Sequence, residues 1–326
     1  SSNVTVDDVN SDSTTQTNHV YTIDNDDGLL VEFSTTAASD DENTGGNVPT
    51  LIVSGADTTG MGNSTVDVTI NGASTADGSD YTLASTTVTI LEGDYTTAQP
   101  VSLGLSIGAA TTVEADDTID MSLTNGVNVS VGDADGNSIT NTDSVYTITN
   151  DDQLGAEFAA ATSSDAEASG SNLPTILVNG VTDVATTIRV SDQGGTAANG
   201  SDYAITDPID VAVPIGTYDG TGITALNVPV TITDDQAIEG DESFALDLSA
   251  PEANIMLADV DSSSSTVATH TYTITDDDVL SVEFDVAADS TSEDDAYTPQ
   301  LRIGGAILSS PGSIEVTDAG SGTATG

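Results

Sequence analysis

Three octapeptides constrain this chain more than any other feature. VYTIDNDD at 20–27, VYTITNDD at 145–152 and TYTITDDD at 271–278 are copies of one segment, and their tyrosines (Tyr21, Tyr146, Tyr272) lie 125 and 126 residues apart. Just downstream, LVEFS (30–34), GAEFA (155–159) and SVEFD (281–285) recur at the same spacing. NVPTLIVSG, NLPTILVNG and YTPQLRIGG follow, placing Pro49, Pro174 and Pro299 at 125-residue intervals. Within the period, ADGSDYTL (76–83) matches ANGSDYAI (198–205). A repeat of that length is one sandwich domain, not a short solenoid turn, and it decides the organisation before any residue-level reading.

The register divides the chain into 1–27, the end of one repeat; 28–152 and 153–278, two complete repeats; and 279–326, the first part of another. Ser1 aligns with Glu252 and Gly326 with Gly200, so the two ends do not complete each other. The expectation is a section of a longer tandem array. Within each repeat, IDVAVPI, ALNVPVTIT and ESFALDLS alternate apolar and polar residues, as strands with one buried face do. About seven such runs per repeat, separated by Gly, Asn, Asp and Ser clusters, predict an all-β chain of tandem Ig-like seven-stranded β-sandwiches. One Phe and one or two Tyr per repeat are expected to anchor a core of Val, Ile, Leu and Ala.

Charge excludes whole classes of partner. There are 54 acids against two basic residues, Arg189 and Arg302, for a formal charge of -52. Such a chain repels nucleic acid and anionic membrane surfaces. It also repels itself, so screening or bound cations belong to any account of its compact state. With no cysteine there is no disulfide framework and no thiolate metal site. Without lysine there is no isopeptide staple, Schiff base or phosphate loop. Nothing pairs a nucleophile with its base, so an enzyme is not expected. His19 and His270 each lie two residues before the repeated Tyr; they are one position seen twice and are expected on a strand surface. DADGN (133–137) lacks the Glu that closes an EF-hand loop, and reads as a solvated acidic loop like VDDVNSD (6–12) and LADVDSS (257–263).

Three blocks, GSDYAI (200–205), VPVTITDDQAIEGDESFALDLS (228–249) and YTITDDD (272–278), resemble in order and spacing those of the Calx-β domain, a family found in sodium–calcium exchangers and as tandem copies in large bacterial surface proteins. The resemblance implies a seven-stranded sandwich that binds calcium where loops meet at one end. Carried over position by position, it implies ligands at Glu167, Asp202, Asp234, Asp235, Glu239, Asp276, Asp277 and Asp278, with Glu242 as a further candidate and Ala237 through its carbonyl. Independently of the family, a hard cation wants six to eight oxygen donors, which acids at several strand ends can supply. The first complete repeat departs from the pattern: GAATTVEADD (108–117) has Ala109 and Ala110 in place of Asp234 and Asp235. Glu42, Asp80, Glu114, Asp151 and Asp152 remain there, with Asn150, and a weaker or vacant second site is expected. The last, partial repeat keeps Glu293, Asp294 and Asp295.

The alternative is a halophile-like solvated surface, against which stands the recurrence of the acids at fixed strand ends. The functional expectation is a non-enzymatic extracellular structural array: an adhesin stalk, surface filament or matrix fibre stiffened by calcium at repeat junctions. Its partners would be calcium, neighbouring repeats and, in a fibre, other copies. A calcium-sensing regulatory module, or a spacer in a larger extracellular enzyme, are the other readings.

Overall fold

The structure is a computed structural model that describes residues 6–22, 27–292, 294–308, 310–318 and 320. Glu293 and residues 23–26 of the first octapeptide lie outside the described residues. The chain forms two compact units. One comprises 1–108 and 117–148; the other comprises 109–116 and 149–326. Every regular element among the described residues is a strand, and no helix is long and apolar enough to cross a membrane.

In the first unit, one sheet has the order Val129–Val131, Leu29–Phe33, Thr50–Ser54, Gln99–Ser102. The other has the order Ala37–Asp41, Asp143–Thr149, Asp117–Val127, Ser64–Ile70, Thr87–Ile90. Alternation explains why these segments are strands. In Ser64–Ile70 and Asp117–Val127 every second residue (Val66, Val68; Ile119, Met121) is buried, and its neighbours face outward. The inward residues of both sheets, with Phe33 and Tyr146, close one core. Fully burying a side chain of that size contributes about 1.5–3 kcal/mol.

The second unit repeats this plan. Gly216–Asp219, Thr175–Thr182, Leu154–Phe158 and Ile255–Leu257 form one sheet; Thr162–Ala166, Thr269–Thr275, Glu242–Ser249, Thr186–Gly195 and Ile209–Val213 form the other. Its aromatic content exceeds the expectation of one Phe: Phe158, Phe244, Tyr203 and Tyr272 are all fully buried. Tyr203 stacks on Phe244 at 3.9 Å between ring centroids, and Phe244 on Tyr272 at 5.4 Å. In the first repeat Ile119 holds the position of Phe244, so no such column forms there.

The compact units depart from the sequence repeats at 149–152, which fall in the second unit, and more markedly at 109–116. Residues 109–116 belong by sequence to the first repeat, but the strand Thr112–Val113 pairs with Thr175–Thr182, and Val113 is buried in the second core. At the chain ends the repeated segments stand without a sandwich. Tyr21 is 78 % exposed, whereas Tyr146 and Tyr272 are buried completely. Leu280–Phe284 and Leu301–Gly305 form a two-stranded sheet in which Phe284 is 51 % exposed, although its counterparts Phe33 and Phe158 are buried.

Candidate metal centre

Four strand ends bring the second repeat's acids to one pole. Thr162–Ala166 and Thr269–Thr275 run parallel, with Ala166 opposite Thr275, so Glu167 and Asp276 step off adjacent ends together. Glu242 opens the antiparallel neighbour and lies opposite Ile274, at that same end. Asp202 immediately precedes Tyr203–Ala204, which pairs with Thr231–Ile232. The Thr233 N–H donates to the Asp202 carbonyl at 2.9 Å, and this bond leads the chain into Asp234 and Asp235. A bulge interrupts the Thr186–Gly195 strand at Asp192–Gly194, and Asp192 Oδ2 there accepts the Tyr203 hydroxyl at 2.7 Å and Asn199 Nδ2–H at 3.2 Å, which ties the strand to the loop that carries Asp202. Gly195 is required there, because a Cβ would lie 1.9 Å from the Ser243 carbonyl oxygen.

Carboxylate oxygens of Glu167, Asp235 and Asp278 lie within 4.8 Å of one another. Glu167, Asp202, Asp235, Glu239 and Glu242 line a small cavity of about 10 Å³ together with Thr233, Gly240 and Ile274. That is about the room of one water-sized occupant. Like charges at this distance repel by about 1–4 kcal/mol per pair, depending on solvent access. The acids respond accordingly. Burial and the charges of Asp235, Asp276 and Asp278 push Glu167 up to about 7. Loss of solvation, then Asp235, Asp202 and Asp276, raise Glu239. Burial and the hydrogen bond to Asp202 raise Glu242, and its partner is lowered: burial opposes ionisation of Asp202, but the Ala198 N–H and other hydrogen bonds outweigh it. Burial and four neighbouring aspartates raise Asp278.

Internal hydrogen bonds satisfy only part of this set. Asp235 Oδ1 accepts the Ala237 N–H at 2.6 Å, and Asp276 Oδ1 accepts the Asp278 N–H at 3.2 Å. Asp278 Oδ2 is buried and has no hydrogen-bond partner. Such a buried acceptor among other carboxylates can be satisfied by a proton or by a cation, and an all-oxygen donor set is the kind that hard cations such as calcium or magnesium favour. Of the residues predicted from sequence, Glu167, Asp202, Asp235, Glu239, Glu242, Asp276 and Asp278 come together here. Asp234 and Asp277 act on Asp278 through their charge, as Asp276 does; none of these four aspartates lines the cavity itself. Ala237 presents its N–H to Asp235.

The five candidates of the first repeat divide between the units. Glu42, almost wholly buried, and Asp80 lie in the first; Glu114, Asp151 and Asp152 lie in the second. Asp80 Oδ2 accepts the Asp77 N–H at 2.5 Å. In the second unit Glu114, Asp151 and Asp152 line an open depression with Glu252 and Asn254, and burial and the Asp151 charge raise Asp152.

Two further acidic groups emerge that the sequence reading did not single out. Glu32 and Glu157, the glutamates of LVEFS and GAEFA, are fully buried. Glu32 carries oxygen within 4.8 Å of Asp133 and Asp135, as does Glu157 with Asp259 and Asp261. Two of the three loops expected to be solvated, 133–137 and 257–263, are therefore folded around a buried carboxylate, whereas 6–12 is mostly exposed. The signal available was an acid recurring between apolar neighbours in a strand. His270 also corrects an expectation. It is buried, with Nδ1–H donating to the Ala160 carbonyl at 2.7 Å and Nε2 accepting the Ser163 hydroxyl at 3.0 Å; His19 is exposed.

Fold and site together define an Ig-like β-sandwich with an oxygen-donor acidic pole. Residues 149–278 match the model of the Calx-beta domain family. No curated protein matches the chain. Among solved structures, CBD12 from CALX1.2 is 13% identical, covering 75% of this chain and 99% of that one at a TM-score of 0.30. The calcium binding domain CBD12 of CALX1.1 is 11% identical over 75% and 98%, at 0.29. The apo-form Calx CBD1 domain is 19% identical over 39% and 100%, at 0.28.

Proposed function

We propose that the chain is a non-enzymatic, extracellular structural repeat array whose second repeat binds calcium at the pole formed by Glu167, Asp202, Asp235, Glu239, Glu242, Asp276 and Asp278. The observation that carries this reading is the buried, unpartnered Asp278 Oδ2 beside Glu167 and Asp235. A cation there would convert mutual repulsion into shared coordination, and its binding energy would add to folding energy. The acid excess, the absence of lysine and the Ser/Thr richness support a place outside the cell, in a stalk, surface filament or matrix fibre. Calcium is then a structural element that stiffens the array, and neighbouring repeats, or other copies in a fibre, are its partners. Calorimetric titration of the full chain with calcium tests this: heat is expected in the parent and its loss in Asp235→Ala and Asp278→Ala. A parent that binds nothing would sink the assignment.

The family match at 149–278 favours a second reading, a calcium-responsive regulatory module. Small-angle scattering separates the two. A structural array extends and stiffens as calcium saturates and stays so at extracellular concentrations, whereas a sensor switches reversibly at micromolar calcium.

A further inference from the structure

We propose that the loop carrying Asp234 to Glu242, and its counterpart at 109–116, is a clip that joins each repeat to the next by a short parallel strand, and that apolar burial secures the first clip while bound metal strengthens the second. The metal-dependent half rests on the calcium reading above; the clip itself does not.

The geometry occurs twice in one register. Thr112 and Val113 pair with Val181 and Thr182; Ala237 and Ile238 pair with Ile307 and Leu308. Donor residues in the two pairs are one repeat apart, and so are the acceptors. In both cases the donor strand comes from one repeat and the acceptor from the repeat that follows it in sequence. The acceptor edge is a real vacancy in the sandwich. At Val181–Thr182 one edge is taken by Gly216–Asp219, and Leu154–Phe158 reaches only as far as Asn179 on the other. Thr112–Val113 fills the remainder.

What holds each clip differs. Val113 is 1 % exposed and packs in the core with Leu154 and Val178. Its carbonyl accepts the Asp183 N–H at 2.9 Å. Ala109 and Ala110 precede it, so no carboxylate opposes closure from that side. In the second clip the Ile307 N–H donates to the Gln236 carbonyl at 2.5 Å, but Ile238 is only half-buried and Ile307 is 64 % exposed. Asp235 and Glu239 flank the donor directly, and both belong to the repelling acids of the pole. Apolar burial closes the first clip; the second lacks that grip, and a cation between its flanking acids supplies it.

Hydrogen exchange with mass spectrometry on the full chain, in EDTA and in calcium, tests the proposal. Protection of amides 181–183 is expected to be equal in both conditions, and Val113→Ala should accelerate exchange there at least tenfold. The Thr269–Thr275 strand, which keeps its protection, serves as the folding control. Amides 307–308 should gain protection in calcium, and Asp235→Ala should abolish the gain. Unchanged protection at 181–183 in Val113→Ala, or its loss in EDTA, would overturn the first clip. If calorimetry records calcium binding while 307–308 exchange alike in both conditions, the metal-strengthened clip falls and the calcium reading stands. If nothing binds, the calcium reading and the metal-dependent half fall together, and Val113→Ala alone decides the clip.

Discussion

The carboxylate of Glu157 accepts the backbone N–H of Val260 at 2.7 Å from a fully buried position. Asp261 donates to the same oxygen at 3.1 Å, and Val267 to the other at 2.9 Å. Glu32 does the same with Ala134, Asp135 and Asn141 in the first unit. A lone buried charge would be prohibitive; three N–H donors each make a charge-assisted bond to it. In effect the loop is wound on the carboxylate.

Glu157→Ala removes the acceptor of three N–H groups that have no other acceptor among the described residues. The expected cost is roughly 3 kcal/mol or more, the upper range for orphaned buried donors. Urea denaturation of the full chain should show the second unit's transition shift while the first stays put, and Glu32→Ala should give the mirror result. A loss below about 1 kcal/mol would contradict the anchoring role.

His270 predicts an acid-sensitive second unit. Burial lowers its proton affinity against the opposing hydrogen bond to Ala160. The folded state therefore holds the neutral ring, while the unfolded chain binds a proton below about pH 6.5. Stability from this group is complete above that value and declines as pH falls toward the depressed folded pKa. The limiting slope is about 1.4 kcal/mol per pH unit. Denaturation midpoints of the parent and His270→Gln, followed from pH 7.5 to 5, should diverge least at the acid end.

Glu167 predicts the opposite sign at the pole. Its pKa of about 7 lies above the ordinary 4.5, so the metal-free folded state binds a proton that the unfolded chain has released. Without calcium the contribution of Glu167 to stability falls as pH rises from about 4.5 to 7. Under the proposed function, calcium displaces that proton on binding. Calorimetry at pH 6.5 in two buffers of different ionisation enthalpy should give different heats, and Glu167→Gln should remove the difference. Equal heats in the parent would show that no proton is exchanged.

The repeat and its alternation are enough to predict sandwiches, whereas the residues of the pole follow from the resemblance to the Calx-β domain. Strand register explains only part of their meeting: Glu167, Glu242 and Asp276 sit at adjacent strand ends. His270 was legible but overlooked: in THTYTIT the period of two places it on the same face as Tyr272 and Ile274, which are core. The Thr112–Val113 exchange was not legible, because two residues in a loop carry no periodicity and their partner lies about seventy residues away.

The stack of Tyr203, Phe244 and Tyr272 has a practical consequence. The chain has no tryptophan, so its near-ultraviolet signal comes mainly from eight tyrosines, with four phenylalanines beside them. Two of the tyrosines sit in this column, and its counterpart in the first unit has no phenylalanine to couple through. The second unit thus carries an aromatic column that the first lacks, and near-ultraviolet dichroism can follow that column within the intact chain, with no dye attached.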